Sequence, residues 1–338
     1  MILRVHGDTL AAPGLLDYAT CLWPGPLPAP VRLALEQGLA DHARYPDDRR
    51  ARAAIADRHG RPPDEVLLLN GACEAFWLLA HALRPARAAC VHPSFTEPEA
   101  ALRCVGAAVT RVSLDDDGEG WSLDVARVPE AVELVVVGNP NNPTGTLAPA
   151  SILARLARPG RHLVVDESFA EFVDGERESL AGRRDLPGLV VVRSLTKLHG
   201  LAGVRAGYLL AAPALVERLA GHRQPWSVNA LACAALAACA LDAQTPRRVA
   251  REVAAARTEL LDALTRRPDI QAWPAAANFL LLRLADAGEV VAGLRARGIA
   301  VRPAGSFPGL GDDHVRIAVR PAEDNARLLA ALDEVLPA

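Results

Sequence analysis

Seven short apolar runs occupy the middle of the chain: "EVLLLN" (65–70), "AACVH" (88–92), "AAVTRVSL" (107–114), "ELVVVGN" (133–139), "HLVVDE" (162–167), "LVVVRS" (189–194) and "GYLLAA" (207–212). A strand with one face in water alternates apolar and polar residues. Runs of unbroken valine and leucine are buried on both faces. Helical patterns lie between several of them, for example over 72–83 and 148–157. Doubly buried strands separated by helices require a mostly parallel sheet covered on both sides, an α/β fold.

Beyond about residue 225 the pattern changes. A long helical stretch over 228–267, broken near "AQTPRR", precedes "IQAWP", "NFLLLRL", "IAVRPA" and "HVRIAVR", with helices at 286–297 and 322–336. This is a smaller α+β unit. The Pro-rich "WPGPLPAP" precedes an amphipathic helix at 31–42. The expected division is an N-terminal arm (1–44) packing on the smaller unit, a large domain (45–230) and the small domain (231–338).

The 338 residues are enough for two such units, and 51% are hydrophobic, which supports a sizeable core. The net charge of −3 and the lack of a basic block argue against nucleic acid. The longest apolar stretch, "NALACAALAACALDA", is shorter than a membrane span, and the opening "MILRVHGDTLAAPGLLDYAT" has no basic start followed by an apolar core. No membrane association or secretory signal is expected. Six cysteines, at 21, 73, 90, 104, 233 and 239, show no Cys-x-x-Cys and no zinc-like spacing. Free thiols in a reducing cytoplasm and no bound metal are the expectation.

Of the 37 basic side chains only one is lysine, Lys197 in "RSLTKLHG". Arginine serves ion pairs and phosphate contacts as well as lysine does. It cannot lose its proton and attack a carbonyl, whereas a primary amine can hold an aldehyde cofactor covalently.

Ligands of parallel α/β sheets gather at the carboxyl ends of the strands. After 65–70, "NGACEAF" opens a helix whose first N–H groups, at Gly71, Ala72 and Cys73, form an anion cup. After 88–92, "PSF" offers Phe95 as a flat apolar face. After 133–139, "NPNNPTG" makes a rigid turn that presents Asn142. Asp166 ends the apolar "HLVV", where an unpaired carboxylate is costly. Ser194 and Lys197 follow 189–193, and Arg205 lies eight residues beyond the lysine. An amine for an aldehyde, a carboxylate for a ring nitrogen, an amide for a phenolic oxygen, an aromatic cover and a phosphate cup suit one ligand, pyridoxal 5′-phosphate.

Taken together, "YPDDRRARAAIADRHG", "NGACEA", "NPNNPTGT", "VVDESF" and "SLTKLHGLAGVRAGY" resemble the class I/II aminotransferases of fold type I in order and spacing. The resemblance covers nearly the whole chain. It implies that Lys197 bonds to the cofactor aldehyde, Asp166 pairs with the pyridine nitrogen and Asn142 with the ring oxygen. Ala72, Cys73, Ser194 and Arg205 hold the cofactor phosphate. Tyr45 is similar to the tyrosine that reaches a partner's cofactor, which implies a homodimer. Arg316 resembles the arginine that grips a substrate carboxylate.

Two branches are similar: histidinol-phosphate aminotransferase and the threonine-phosphate decarboxylase of cobalamin synthesis. The opening "HGD", the frame of "GLLDYATCLWPGPLP", Phe169 in "DESFAEF" and the ending "VRIAVR" resemble the decarboxylase. His6 and Arg302 are then candidates to anchor a substrate phosphate. Cys21 and Trp23 stand where that branch carries asparagines, and are expected to line the substrate mouth. Phe169 replaces a tyrosine usual near the ring oxygen.

Overall fold

The computed structural model describes residues 3–336. Its large sheet has seven strands: β1 (Val66–Leu69), β2 (Arg87–His92), β3 (Ala108–Ser113), β4 (Leu134–Gly138), β5 (His162–Asp166), β6 (Leu189–Ser194) and β7 (Gly207–Leu210). Their order is β1-β7-β6-β5-β4-β2-β3. Only β7 runs antiparallel to its neighbours. All seven expected strands are present, so the sheet is mixed and mostly parallel.

The unbroken apolar runs follow from two cores. Val66 and Leu68 of β1 face one core, and Leu67 and Leu69 face the other. The same alternation sends Val135 and Val137 of β4 one way and Leu134 and Val136 the other. Successive strand residues point to opposite faces, so a sheet covered on both sides needs apolar residues at every position.

The smaller unit contains β8 (Ile270–Ala272), β9 (Phe279–Leu284), β10 (Arg302–Pro303) and β11 (His314–Ala318), in the antiparallel order β8-β9-β11-β10. Residues Leu16–Asp17 pair with Ile299–Ala300 of this unit.

Two expectations about packing are corrected. The arm's helix α1 (Ala29–Ala40) does not pack on the smaller unit. It lies along the alanine-rich helix Ala230–Leu241, and Val31 joins the large core. That alanine-rich helix buries Ala232, Cys233, Ala235, Leu236 and Cys239 in the same core rather than starting the small domain. Small side chains let helices approach closely, so it serves as a spacer between α1 and α2 (Arg49–His59).

Candidate active site

Register brings the carboxyl ends of the central strands together. Gly138 pairs with Asp166, Asp166 with Val192, and Gly207 with both Ser194 and Leu69. The segments that follow converge on a cavity of about 600 Å³ lined by Lys197, Cys73, Phe95, Asn142, Arg205 and Arg316, among others.

Helix α3 (Cys73–Leu83) starts at this edge, and no side chain caps its N-terminus. The first N–H groups of such a helix have no intrahelical partner and suit an anion. Two glycines make the approach possible. Gly71 has φ +89° and lies against the Arg205 guanidinium, where a Cβ would collide. A Cβ on Gly207 would lie 2.5 Å from the Ala72 nitrogen. Ser194 ends β6, and its hydroxyl accepts from the Thr196 N–H at 3.2 Å.

The turn after β4 is rigid because two of its three asparagines face inward. Asn139 exchanges bonds of 3.0 and 2.8 Å with the Ala148 backbone. Asn141 donates to Pro93 O at 2.8 Å and to Thr144 Oγ1 at 2.9 Å. Asn142 is the one presented to the cavity, and its Oδ1 accepts from Arg316 Nη1 at 2.5 Å. Arg316, on β11, also donates to Ala19 O and leaves Nε buried without a partner.

Lys197 follows β6 in a turn, with its Nζ 3.3 Å from Thr20 O and 5.9 Å from the Phe169 ring centroid. Burial pushes the amine down from its usual range, aided by Arg316 and Arg205 and opposed by Cys21 and Asp166. A lowered amine is a better nucleophile at neutral pH. Asp166 accepts from Ser168 N at 3.0 Å and Ser168 Oγ at 2.5 Å. Burial pushes its carboxyl up, while the Ser168 bonds and Lys197 pull it down. Phe169 packs edge-on to Phe279 at 4.9 Å, beside the amine.

At the other side chains lining the cavity, His6 Nε2 lies 2.8 Å from Glu97 Oε1 and its ring is 5.6 Å from Phe95. Arg302 donates to Val5 O and Ser306 Oγ at 2.7 Å and to Pro303 O at 2.6 Å. Burial, then Arg316, pushes its guanidinium down to about 10.

Ala72, Asp166, Phe169 and Ser194 sit beside lining residues without lining the cavity themselves, and three further expected site residues point away from it. Cys21 is fully buried and Trp23 is 7% exposed; both side chains join the apolar cluster of Tyr18, Phe172 and Leu198. Neither lines the cavity, whereas Thr20 and Leu22 do. A thiol and an indole gain more from that core than from a polar cavity wall. Their segment still touches the site through its backbone, since Trp23 N donates to Lys197 O at 3.1 Å. Tyr45 is 76% exposed and stacks on Trp226 at 4.4 Å, outside the cavity of its own chain.

Sequence reasoning missed Glu97, the first residue of α4 (Glu97–Cys104). Its buried carboxylate accepts from His6, from Trp77 Nε1 at 2.9 Å and from Arg4 Nε at 3.4 Å. The His6 bond first, with Trp77 and Arg4, holds it at about 2 against the effect of burial. Cys73 Sγ lies 3.8 Å from its other oxygen, and burial and Glu97 push that thiol up to about 12. The available signal was an acidic residue opening a helix two positions after Phe95.

The sequence profile described as aminotransferase class I and II matches residues 32–333. The chain is 44% identical over 327 residues to a histidinol-phosphate aminotransferase of Mycobacterium tuberculosis, covering 94% of this chain and 87% of the relative. It is 33% identical over 334 residues to the threonine-phosphate decarboxylase of Salmonella typhimurium, covering 95% and 91%. Among solved structures, its fold is similar to that of a histidinol-phosphate aminotransferase from Sinorhizobium meliloti in complex with pyridoxal-5′-phosphate, with a TM-score of 0.87 at 22% identity, covering 98% and 94%. The chain belongs to the aminotransferase class I and II family, with a fold of type I.

Proposed function

We propose that this chain is a pyridoxal 5′-phosphate enzyme that acts at the α-carbon of a phosphorylated amino acid, on the pattern of threonine-phosphate decarboxylase. The donor set fits the cofactor. The Gly71 cradle against Arg205, the uncapped start of α3 and Ser194 suit its phosphate. Asp166 suits the ring nitrogen, Asn142 the ring oxygen, Phe95 a ring face and Lys197 the aldehyde. When bound, the cofactor supplies a sink for the electron pair left at Cα.

The observation that carries the substrate reading is the set of basic side chains in one cavity. Arg316 and, separately, His6 and Arg302 line the same space as Lys197. A substrate with two anionic groups uses both stations. Arg316, which lines the cavity beside Lys197, receives one anion. His6 and Arg302 receive the other. Which group each station takes orients the bonds at Cα and so selects the reaction. Where the distal station holds the phosphate, the carboxylate is free to leave as CO₂, and the Lys197 amine delivers a proton to Cα.

Transamination is the second reading, favoured by the 44% identity to the mycobacterial aminotransferase. There Arg316 holds the carboxylate, and Lys197 moves the Cα proton instead. Incubation with O-phospho-L-threonine separates the two. Release of CO₂ and aminopropanol phosphate supports decarboxylation, and a keto product with an aminated cofactor supports transamination. No reaction with any phosphorylated amino compound overturns the substrate reading. The exposed Tyr45–Trp226 stack supports a homodimer in which Tyr45 serves the partner's site. Six free cysteines support a cytoplasmic location.

A further inference from the structure

Outside the cavity lies a second set of charges, some buried and some part-buried. Arg193 on β6 pairs with Glu176 and has Nη1 3.5 Å from Glu167 Oε2. Arg58 Nη2 on α2 lies 2.9 Å from Glu171 Oε1 and 3.3 Å from Glu176 Oε1. His199 Nε2 lies 3.3 Å from Glu171 Oε2, and the His199 side chain has no exposed surface. Three carboxylates thus face two guanidinium groups. Glu167 and Glu171 are buried while Glu176 and Arg58 keep part of their surface, and a buried carboxylate is tolerated when a positive charge faces it.

Two histidines adjoin the cluster. His59 shares a 2.8 Å hydrogen bond with the Tyr208 hydroxyl and sits beside Arg193 and Arg58. Burial and those arginines drive it down to about 3, so it stays neutral. His199 faces Glu171, with Cys239 and Asp242 approaching from the end of the alanine-rich helix. Burial pushes the imidazole down, but Glu171 and Cys239 together outweigh it and raise the group to about 10.

The placement in sequence gives the cluster a role. His199 lies two residues beyond Lys197, and Arg193 four before it; Glu167 adjoins Asp166, and Glu171 lies five beyond it. The Arg193–Glu167 and His199–Glu171 contacts therefore tie the segment bearing Lys197 to the segment bearing Asp166. We propose that Glu171 and His199, whose side chains meet at 3.3 Å, form a positioning pair that holds Lys197 in place relative to Asp166. This rests on Lys197 as the cofactor lysine and not on the choice of substrate. Neither residue lines the cavity, so both act through their neighbours. Misplacement of a reacting group by about 1 Å is enough to be costly.

The single lysine makes the test clean, because protein grown with carbon-13-labelled lysine carries one labelled side-chain amine. In the parent, one sharp lysine signal is expected, and the His199 imidazole should remain protonated from pH 6 to 8 by nitrogen-15 NMR. His199→Gln should broaden or split the lysine signal and weaken cofactor affinity about tenfold. Glu171→Gln should do the same. The double variant, in which both charges are gone, should recover most of the affinity. An imidazole that titrates near its ordinary 6.5, or single variants whose losses simply add, overturns the pair. Should His199→Gln fail to fold, the parent titration and Glu171→Gln still decide. A parent that takes up no pyridoxal 5′-phosphate refutes the role of Lys197, while the imidazole titration still reports on the pair.

Discussion

Arg316 Nη1 donates to Asn142 Oδ1 at 2.5 Å, joining β11 of the smaller unit to the turn after β4. The same guanidinium reaches Ala19 O and lies 5.4 Å from the Phe279 ring centroid. One planar fork thus links three segments at the cavity wall. An ammonium cannot, because it lacks the rigid fork. Arg316→Lys should raise the substrate KM about 10- to 100-fold, the loss of one or two charge-assisted bonds. Cofactor absorbance should be kept. Steady-state kinetics with a spectrum of each preparation checks this, and an unchanged KM would place the substrate anion elsewhere.

Lys197→Arg keeps the charge and removes the only side-chain amine that can bond the cofactor. The purified variant should lack the yellow absorbance of lysine-bound cofactor. Borohydride should add the cofactor mass to the parent at Lys197 and leave the variant unlabelled. Peptide mapping that finds the label on another residue refutes the assignment.

Asp166→Ala should lower kcat by roughly 10²- to 10³-fold, the range for losing one preorganised electrostatic partner. Cofactor affinity should fall much less, since Ser194, Arg205 and the start of α3 still hold the phosphate. Near-parental turnover would show that the ring nitrogen has another partner.

Glu97 gives a pH signature. Its carboxyl is held at about 2 in the folded chain against an ordinary 4.5, so the folded state favours the ionised form. Its contribution to stability is complete above about pH 4.5 and disappears as pH falls toward 2. Glu97→Gln should therefore be less stable than the parent at pH 7, by about 1–3 kcal/mol for a lost buried charged acceptor. Urea unfolding should show the two curves converging across that acid window. Parallel curves from pH 7 to 3 would mean Glu97 is not preferentially ionised in the fold.

Trp23 separates packing from recognition. Trp23→Ala removes a nearly buried indole from the cluster around Tyr18 and Leu198 and should cost about 3 kcal/mol. The ranking of substrates should not change, because Thr20 and Leu22 face the cavity instead. Denaturant unfolding and a substrate panel test the two halves, and a reordered panel with unchanged stability would return Trp23 to the substrate mouth.

The strands, their parallel arrangement and the residues at their carboxyl ends were legible in the sequence because each is a local signal. An unbroken valine run reports burial on both faces, and "NPNNPTG" reports a rigid turn whatever surrounds it. The lone lysine was legible for a chemical reason, since no arginine can replace its amine. Contacts between distant segments were not. Arg316 and Asn142 are 174 residues apart, and Glu97 meets His6 across 91. The resemblance put Cys21 and Trp23 at the substrate mouth, but which way they point depended on a core built partly by Tyr18, Phe172 and Leu198. The same holds for α1, whose apolar stripe fits several surfaces until the alanine-rich helix is in place. His199 and Glu171 read as ordinary polar residues in "KLHG" and "FAEF" until the fold buries them beside two arginines and two more carboxylates, of which Arg58 and Glu176 stay part-exposed. Local pattern reports whether a residue is buried, while tertiary packing decides what it is buried against, and the chemistry of a charged side chain depends on the second.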